Sequence, residues 1–194
     1  MSPRSKEQIE QIRINSIQNI LGAAFKLMAQ NGYESTSISQ IAKEAGVSKG
    51  LMYNYFDSKE DLLKAFLNDA MAEADKLISE IITSDPSETL RNLFQWFFNE
   101  LRERPEHWRL LTELTLKIGK FDFVQEMART KMKEYVVFVS TLLEEIGFPN
   151  AKEEAQLIAG LFDGIGIQYL VIGKDYPLDE VEKYLIEKYC KNQS

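Results

Sequence analysis

The sequence predicts an all-α protein of about nine helices in two domains, residues 1–58 and 59–194. Three observations predict it. Apolar residues recur at helical spacing along most of the chain, and no strand-like alternation runs longer than a few residues. Glycines, prolines and capping residues then cut the chain into segments of helical length, with no low-complexity run and no internal repeat.

The first helix runs from about Lys6 to Asn31, with Ile17, Ile20, Leu21, Ala24, Leu27 and Met28 inward and Gly32 just past its end. Ser37 can cap a second helix from Ile38, and Gln40 three residues on completes a capping box. Gly46 supplies the turn, Val47 fills the angle, and Ser48 caps a third helix over Lys49 to Phe56. Ser58 with Asp61 opens a fourth, Lys59 to about Thr83, whose apolar stripe includes Leu63, Leu67, Ala70, Ala74, Leu77 and Ile78. Asp85-Pro86-Ser87-Glu88 reads as a capped start with proline in the first turn, and the fifth helix continues to about Arg104. Pro105 opens a short sixth that ends before Gly119. The seventh covers Phe121 to Ile146 and stops at Gly147-Phe148-Pro149. Asn150 with Glu153 caps an eighth to about Gly173, and Pro177 opens a ninth to about Cys190.

Composition narrows the class. With 44% hydrophobic and 27% charged residues and only 5 prolines, the chain reads as a soluble helical protein. The longest unbroken apolar run, Tyr135 to Val139, is far short of the ~18 residues a spanning helix needs, so no membrane partner is expected. A single cysteine, Cys190, makes no internal disulfide and suits a cytoplasmic location. Catalysis finds little support. His107 is the sole histidine, no Cys/His cluster has metal-ligand spacing, and Gly164-Ile165-Gly166 lies in a helical pattern rather than a phosphate loop. No catalytic residue, metal or cofactor is expected, and a small all-α enzyme is kept only as the alternative class.

Two short capped helices around a small-residue turn are the plan of a helix-turn-helix, whose second helix enters the major groove of double-stranded DNA. Lys49 and Gly50 stand in its first turn, so Lys49 can reach a base edge or phosphate while Gly50 lets the backbone approach. Leu51 and Asn54 can face the groove, and Tyr53 and Tyr55 can place phenols on phosphate oxygens. Thr36, Ser37, Ser48 and Lys59 lie at helix starts, where free N–H groups favour phosphate, whereas Met52 and Phe56 belong to the core. The bland alternative has the tyrosines merely packing and Lys49 merely solvated. Charge leans the right way: residues 1–60 hold 7 Lys/Arg against 6 Asp/Glu, and residues 61–194 hold 16 against 24. So small a positive excess argues against tight non-specific binding and far less against specific binding.

Gly32 to Leu63, GYESTSISQIAKEAGVSKGLMYNYFDSKEDLL, resembles the N-terminal signature of TetR-type transcriptional repressors. With the preceding helix the resemblance covers roughly the first third of the chain. It departs at Tyr55, where that family often has histidine. The resemblance implies a ligand-responsive repressor that binds a palindromic DNA operator as a homodimer and is released by a small, partly apolar effector. It also implies that the last two helices pair across a two-fold axis, which falls here on Gly160, Gly164, Ile167 and Val171, and on Val181, Tyr184 and Leu185. Alternatively those faces pack within one subunit. The implied effector pocket falls among Phe66, Trp96, Trp108, Met127, Tyr135, Phe138, Phe162 and Tyr169, with Asp163, Gln168 and Arg109 as polar anchors. Aromatic and Met residues at helical spacing are equally the makings of a solid core, which would leave a DNA-binding dimer without an effector.

Overall fold

The computed structural model describes residues 5–116 and 121–190. Among the described residues the secondary structure is helical and contains no strand. The helices are α1 (Lys6–Asn31), α2 (Ile38–Glu44), α3 (Lys49–Tyr55), α4 (Lys59–Ile81), α5 (Pro86–Glu103), α6 (Pro105–Leu116), α7 (Asp122–Ile146), α8 (Ala151–Ile172) and α9 (Leu178–Tyr189). The chain forms two compact units, Met1–Glu73 and Ala74–Ser194, with the division inside α4.

In the first unit, local chemistry sets nearly every boundary. The Ser37 hydroxyl accepts from the Gln40 N–H at 3.3 Å, and the Gln40 carbonyl oxygen of the side chain accepts from the Ser37 N–H at 2.8 Å. Both orphan donors of the α2 start are thereby satisfied. Gly46 turns the chain at φ +67°, a region that a Cβ would strain. Val47 then donates its N–H to Ala42 at 2.9 Å. Ser48 caps α3 by accepting from Leu51 N–H at 3.1 Å, and Ser58 caps α4 by accepting from Asp61 N–H at 2.9 Å. The third helix ends one residue earlier than expected. Phe56 swings to an extended φ of −140°, which sends its ring into the core beside Met52. Ile20, Ala24 and Met28 of α1, Ile41 of α2 and Leu62 and Leu63 of α4 are all buried in this unit, while residues 6–15 of α1 stay exposed.

The second unit is built on stacked aromatics. Phe97 of α5 and Phe162 of α8 lie face to face at 3.9 Å, and Trp108 of α6 meets Phe97 edge-on at 5.3 Å. Gly166 lies against that indole, and a Cβ there would come into van der Waals contact with the Trp108 ring at 3.4 Å. The α7 stop is a Schellman turn: Gly147 at φ +103° donates to Glu144 and Phe148 donates to Leu143 at 2.9 Å. Arg102 of α5 pins α9 through Asp179 at 2.6 Å and through Glu182. The end of α9 is held by the Tyr189 hydroxyl on Glu154 at 2.7 Å and the Ser87 hydroxyl on the Cys190 carbonyl at 2.8 Å.

Three further expectations about the elements change, and one falls outside the described residues. The α4 helix stops at Ile81 rather than Thr83, because the Thr83 N–H turns to the Thr89 hydroxyl at 2.9 Å. Asn150 makes no side-chain cap at α8, and its carbonyl alone accepts from Glu154 N–H. Gly119, expected just beyond α6, lies outside the described residues. Finally, residues 151–175 form one segment long and apolar enough to cross a bilayer, although no unbroken apolar run announces it. That segment is apolar on both sides: Ile158, Phe162 and Ile165 face the core, whereas Leu157 and Val171 are exposed.

Candidate nucleic-acid interface and sensor site

One face of α3 is free. Lys49, Gly50, Tyr53 and Asn54 are all exposed, at i, i+1, i+4 and i+5, opposite the buried Met52. Such spacing puts an ammonium, bare backbone, a phenol and a carboxamide on one ridge narrow enough for a major groove. The Lys49 Nζ lies 6.0 Å from the Tyr53 ring centre, which leaves it free to swing outward. Leu51 and Tyr55 are half-buried, and Tyr55 leans edge-on against Phe56 at 6.5 Å. Ser48 accepts the α3 cap bond and keeps its O–H as a donor, while the exposed Ser37 hydroxyl already donates to Gln40 at 2.7 Å.

Two residues expected on the DNA side do something else. Thr36 is buried at 2% exposure, and its hydroxyl donates inward, with the Gly32 carbonyl at 2.9 Å and that of Leu27 at 3.2 Å. Lys59 is a clasp. Its ammonium reaches the carbonyls of Tyr33 at 2.8 Å, Thr36 at 3.1 Å and Glu34 at 3.3 Å, over the Tyr33 ring at 4.2 Å. All three N–H donors are engaged, so the residue anchors the α1–α2 loop to the start of α4 instead of presenting charge outward.

The outer face of α8 and α9 is the largest surprise in burial. Gly160 and Gly164 have open space where a Cβ would stand, and Ile167, Val171 and Tyr184 are 45%, 80% and 65% exposed. The reading in which these glycines receive a neighbour within the same subunit is therefore overturned. Leu157 and Leu161 extend the same face at 60% and 41% exposure; sequence reasoning missed them, though their heptad-like spacing to Gly160 and Gly164 was the available signal. Leu185 is the exception, because it is buried at 5% inside its own subunit. A groove of about 380 Å³ runs along this face, lined by Gly160, Leu161, Gly164, Gln168, Val181 and Tyr184. Gln168 belongs here rather than to an effector pocket.

The residues expected around an effector separate. Phe66 stacks on Phe25 of α1 at 5.6 Å, within the first unit, so it does not line the sensor interior. Tyr169 turns toward Tyr176 at 6.3 Å, and Arg109 is taken by Glu106 at 2.9 Å on the surface. Trp96 and Phe138 lie half-buried against the main core, and Met127 is half-buried on α7. Trp108, Tyr135 and Phe162 do come together around Phe97, with Tyr135 tilted at 6.0 Å from Phe162. There the Tyr135 hydroxyl is buried with no hydrogen-bond partner. A hydroxyl left so costs about 1–3 kcal/mol. Burial pushes the Tyr135 phenol up, and the charge of Asp163 adds to the rise. Burial also raises the Asp163 carboxyl.

The comparisons with known proteins follow the same division. Residues 20–66 match the family model described as "Bacterial regulatory proteins, tetR family". The "Uncharacterized HTH-type transcriptional regulator YuxN" of Bacillus subtilis (strain 168) is 35% identical over 115 residues, which cover 59% of this chain and 38% of that protein. This chain thus spans well under half of that relative's length. The "Fatty acid metabolism regulator protein" of the same organism is 27% identical over 177 residues, 87% of this chain and 90% of that protein. The crystal structure of the transcriptional regulator FadR from Bacillus subtilis in complex with stearoyl-CoA shares the fold at a TM-score of 0.71 and 22% identity, over 91% of this chain and 99% of that one. Residues 20–66, which hold α2 and α3, thus match the helix-turn-helix segment of the tetR-family regulators, and the chain shares the helical fold of solved regulators of that family.

Proposed function

We propose that this chain is a cytoplasmic repressor that binds a palindromic DNA operator as a homodimer and is released by a small, partly apolar effector. The exposed ridge of Lys49, Gly50, Tyr53 and Asn54 on α3 carries the reading, because it pairs a base-reading carboxamide and cation with a phosphate-seeking phenol. Thr36, Ser37 and Ser48 hold that ridge in place, and Leu51 and Tyr55 flank it. The α8 and α9 faces support a dimer. A helix apolar all round is buried on two sides or lies in lipid, and a second copy against Gly160 and Gly164 would cover the open face and bring two α3 helices to one palindrome. The fatty-acid regulators among the similar proteins favour an effector with an apolar portion. Such an effector acts only by binding the DNA-incompetent arrangement more tightly than the competent one. The test is operator selection from random DNA, followed by sedimentation of the complex and a screen for release. Selected sites without dyad symmetry, bound by one copy, would overturn the operator and dimer together.

A further inference from the structure

The four exposed residues of the α3 ridge are not equivalent. Side chains four apart on a helix lie one above the other, about 40° apart in direction, whereas adjacent ones diverge by about 100°. Lys49 and Tyr53 therefore form one row, with the Lys49 Nζ 6.0 Å from the Tyr53 ring centre, and Gly50 and Asn54 form a second. The second row begins with a glycine that the fold does not require. Gly50 is not among the glycines of positive φ, and a Cβ there would meet nothing closer than the Ser48 hydroxyl at 3.9 Å. Glycine in a helix is less stable than alanine, and neither backbone nor packing within the chain accounts for it here. What a bare backbone does allow is an outside surface closer to the helix axis than any side chain would permit.

The neighbouring polar groups leave Asn54 as the short-armed reader. Thr36, Ser37 and Lys59 are engaged in bonds within the chain, whereas Asn54 is exposed one turn beyond Gly50. A carboxamide donates and accepts side by side, which matches the N6 amino group and N7 of adenine in the major groove. So short a side chain reaches a base edge only where the helix lies close to it. Lys49, on its longer stem, reaches in from the flanking row.

We infer that Asn54 reads an adenine in each operator half-site, and that the bare backbone of Gly50 lets α3 lie close enough for it to do so. The assignment rests on the operator-binding reading above and names a base that reading leaves open.

The test puts the full chain through operator selection from random DNA and titrates the selected site by fluorescence anisotropy. Wild type should select an invariant adenine in each half-site. Replacing it in one half-site by 7-deazaadenine, which lacks the N7 acceptor, should weaken binding about three- to tenfold. Asn54→Ala should bind the selected site about five- to hundredfold more weakly and should no longer distinguish adenine from 7-deazaadenine. Gly50→Ala should melt no lower than wild type and yet bind about tenfold or more weakly. Gly22→Ala, at an exposed helical glycine of α1 with similar open space, should leave affinity unchanged. A selected operator holding no adenine to which both Asn54→Ala and 7-deazaadenine point overturns the base assignment, and operator binding stands without it. Full affinity in Gly50→Ala, or an equal loss in Gly22→Ala, overturns the close approach. If wild type selects no site with dyad symmetry, the operator reading and this assignment fall together.

Discussion

Replacing Lys59 with methionine separates an internal clasp from a phosphate contact. Methionine keeps most of the apolar stem and removes the ammonium. Three charge-assisted bonds, to the carbonyls of Tyr33, Thr36 and Glu34 at 2.8, 3.1 and 3.3 Å, disappear together with the contact over the Tyr33 ring at 4.2 Å. Each such bond contributes about 1.5–3 kcal/mol when well shielded. They share one ammonium, however, and the side chain is only half-buried, so water recovers part of the loss and about 2–3 kcal/mol in total is expected. At 1.4 kcal/mol per decade, opening of the α1–α2 loop should rise by about 30- to 140-fold. Amide exchange reads this directly, because Thr36 N–H is bonded to the Tyr33 carbonyl in that loop. Operator affinity should fall through loosening of α2 and α3, with the slope of log affinity against log salt unchanged. The opposite pattern, unaltered exchange and melting with a slope shallower by about one unit, would refute the clasp and make Lys59 a phosphate ligand.

Other expectations are simpler to state. Lys49→Ala should cost about 1–3 kcal/mol of operator binding if it reads a base and Tyr53→Phe somewhat less, both with unchanged circular dichroism; full affinity in both variants removes the α3 ridge from the interface. Tyr184→Glu and Gly164→Arg place charge and bulk on an open apolar face, so both should give folded monomers with lost operator binding, and sedimentation as intact dimers would count against that face. Asp163→Asn should raise the melting temperature at neutral pH and hardly at pH 4. Burial raises the native carboxyl above its unfolded value, so the native state holds that proton more tightly. The contribution of Asp163 to stability is therefore greatest at low pH and is lost as pH rises through the native value. A variant no more stable than wild type at pH 7 would contradict the sign.

Much of the fold was legible because helix punctuation is local chemistry. Ser37 with Gln40, the Gly46 turn, Ser48, and Gly147 followed by Phe148 act over three to five residues, so reading in order sufficed for α2, α3 and the end of α7. The ridge on α3 was legible for the same reason, since Met52 marks the inner side and the positions around it follow from helical spacing. Where reading failed, the partner was distant. Lys59 reaches carbonyls 23 to 26 residues back, and nothing in its own neighbourhood distinguishes a clasp from a phosphate contact. Thr36 belongs to the same cluster and turns inward with it.

In the second unit the sequence determined which residues are apolar, and only tertiary structure decided which side of each helix they serve. Leu185 and Tyr184 are adjacent on α9, yet one is buried at 5% and the other exposed at 65%. Phe66 and Phe162 are both aromatic residues on long helices, yet one stacks on Phe25 and the other on Phe97. Periodicity supplies the angle between side chains on one helix, but the direction of the core is set by the helices packed around it. A buried hydroxyl such as that of Tyr135 is less legible still. Its lack of a partner is a property of every surrounding element at once, and no local pattern in a sequence encodes it.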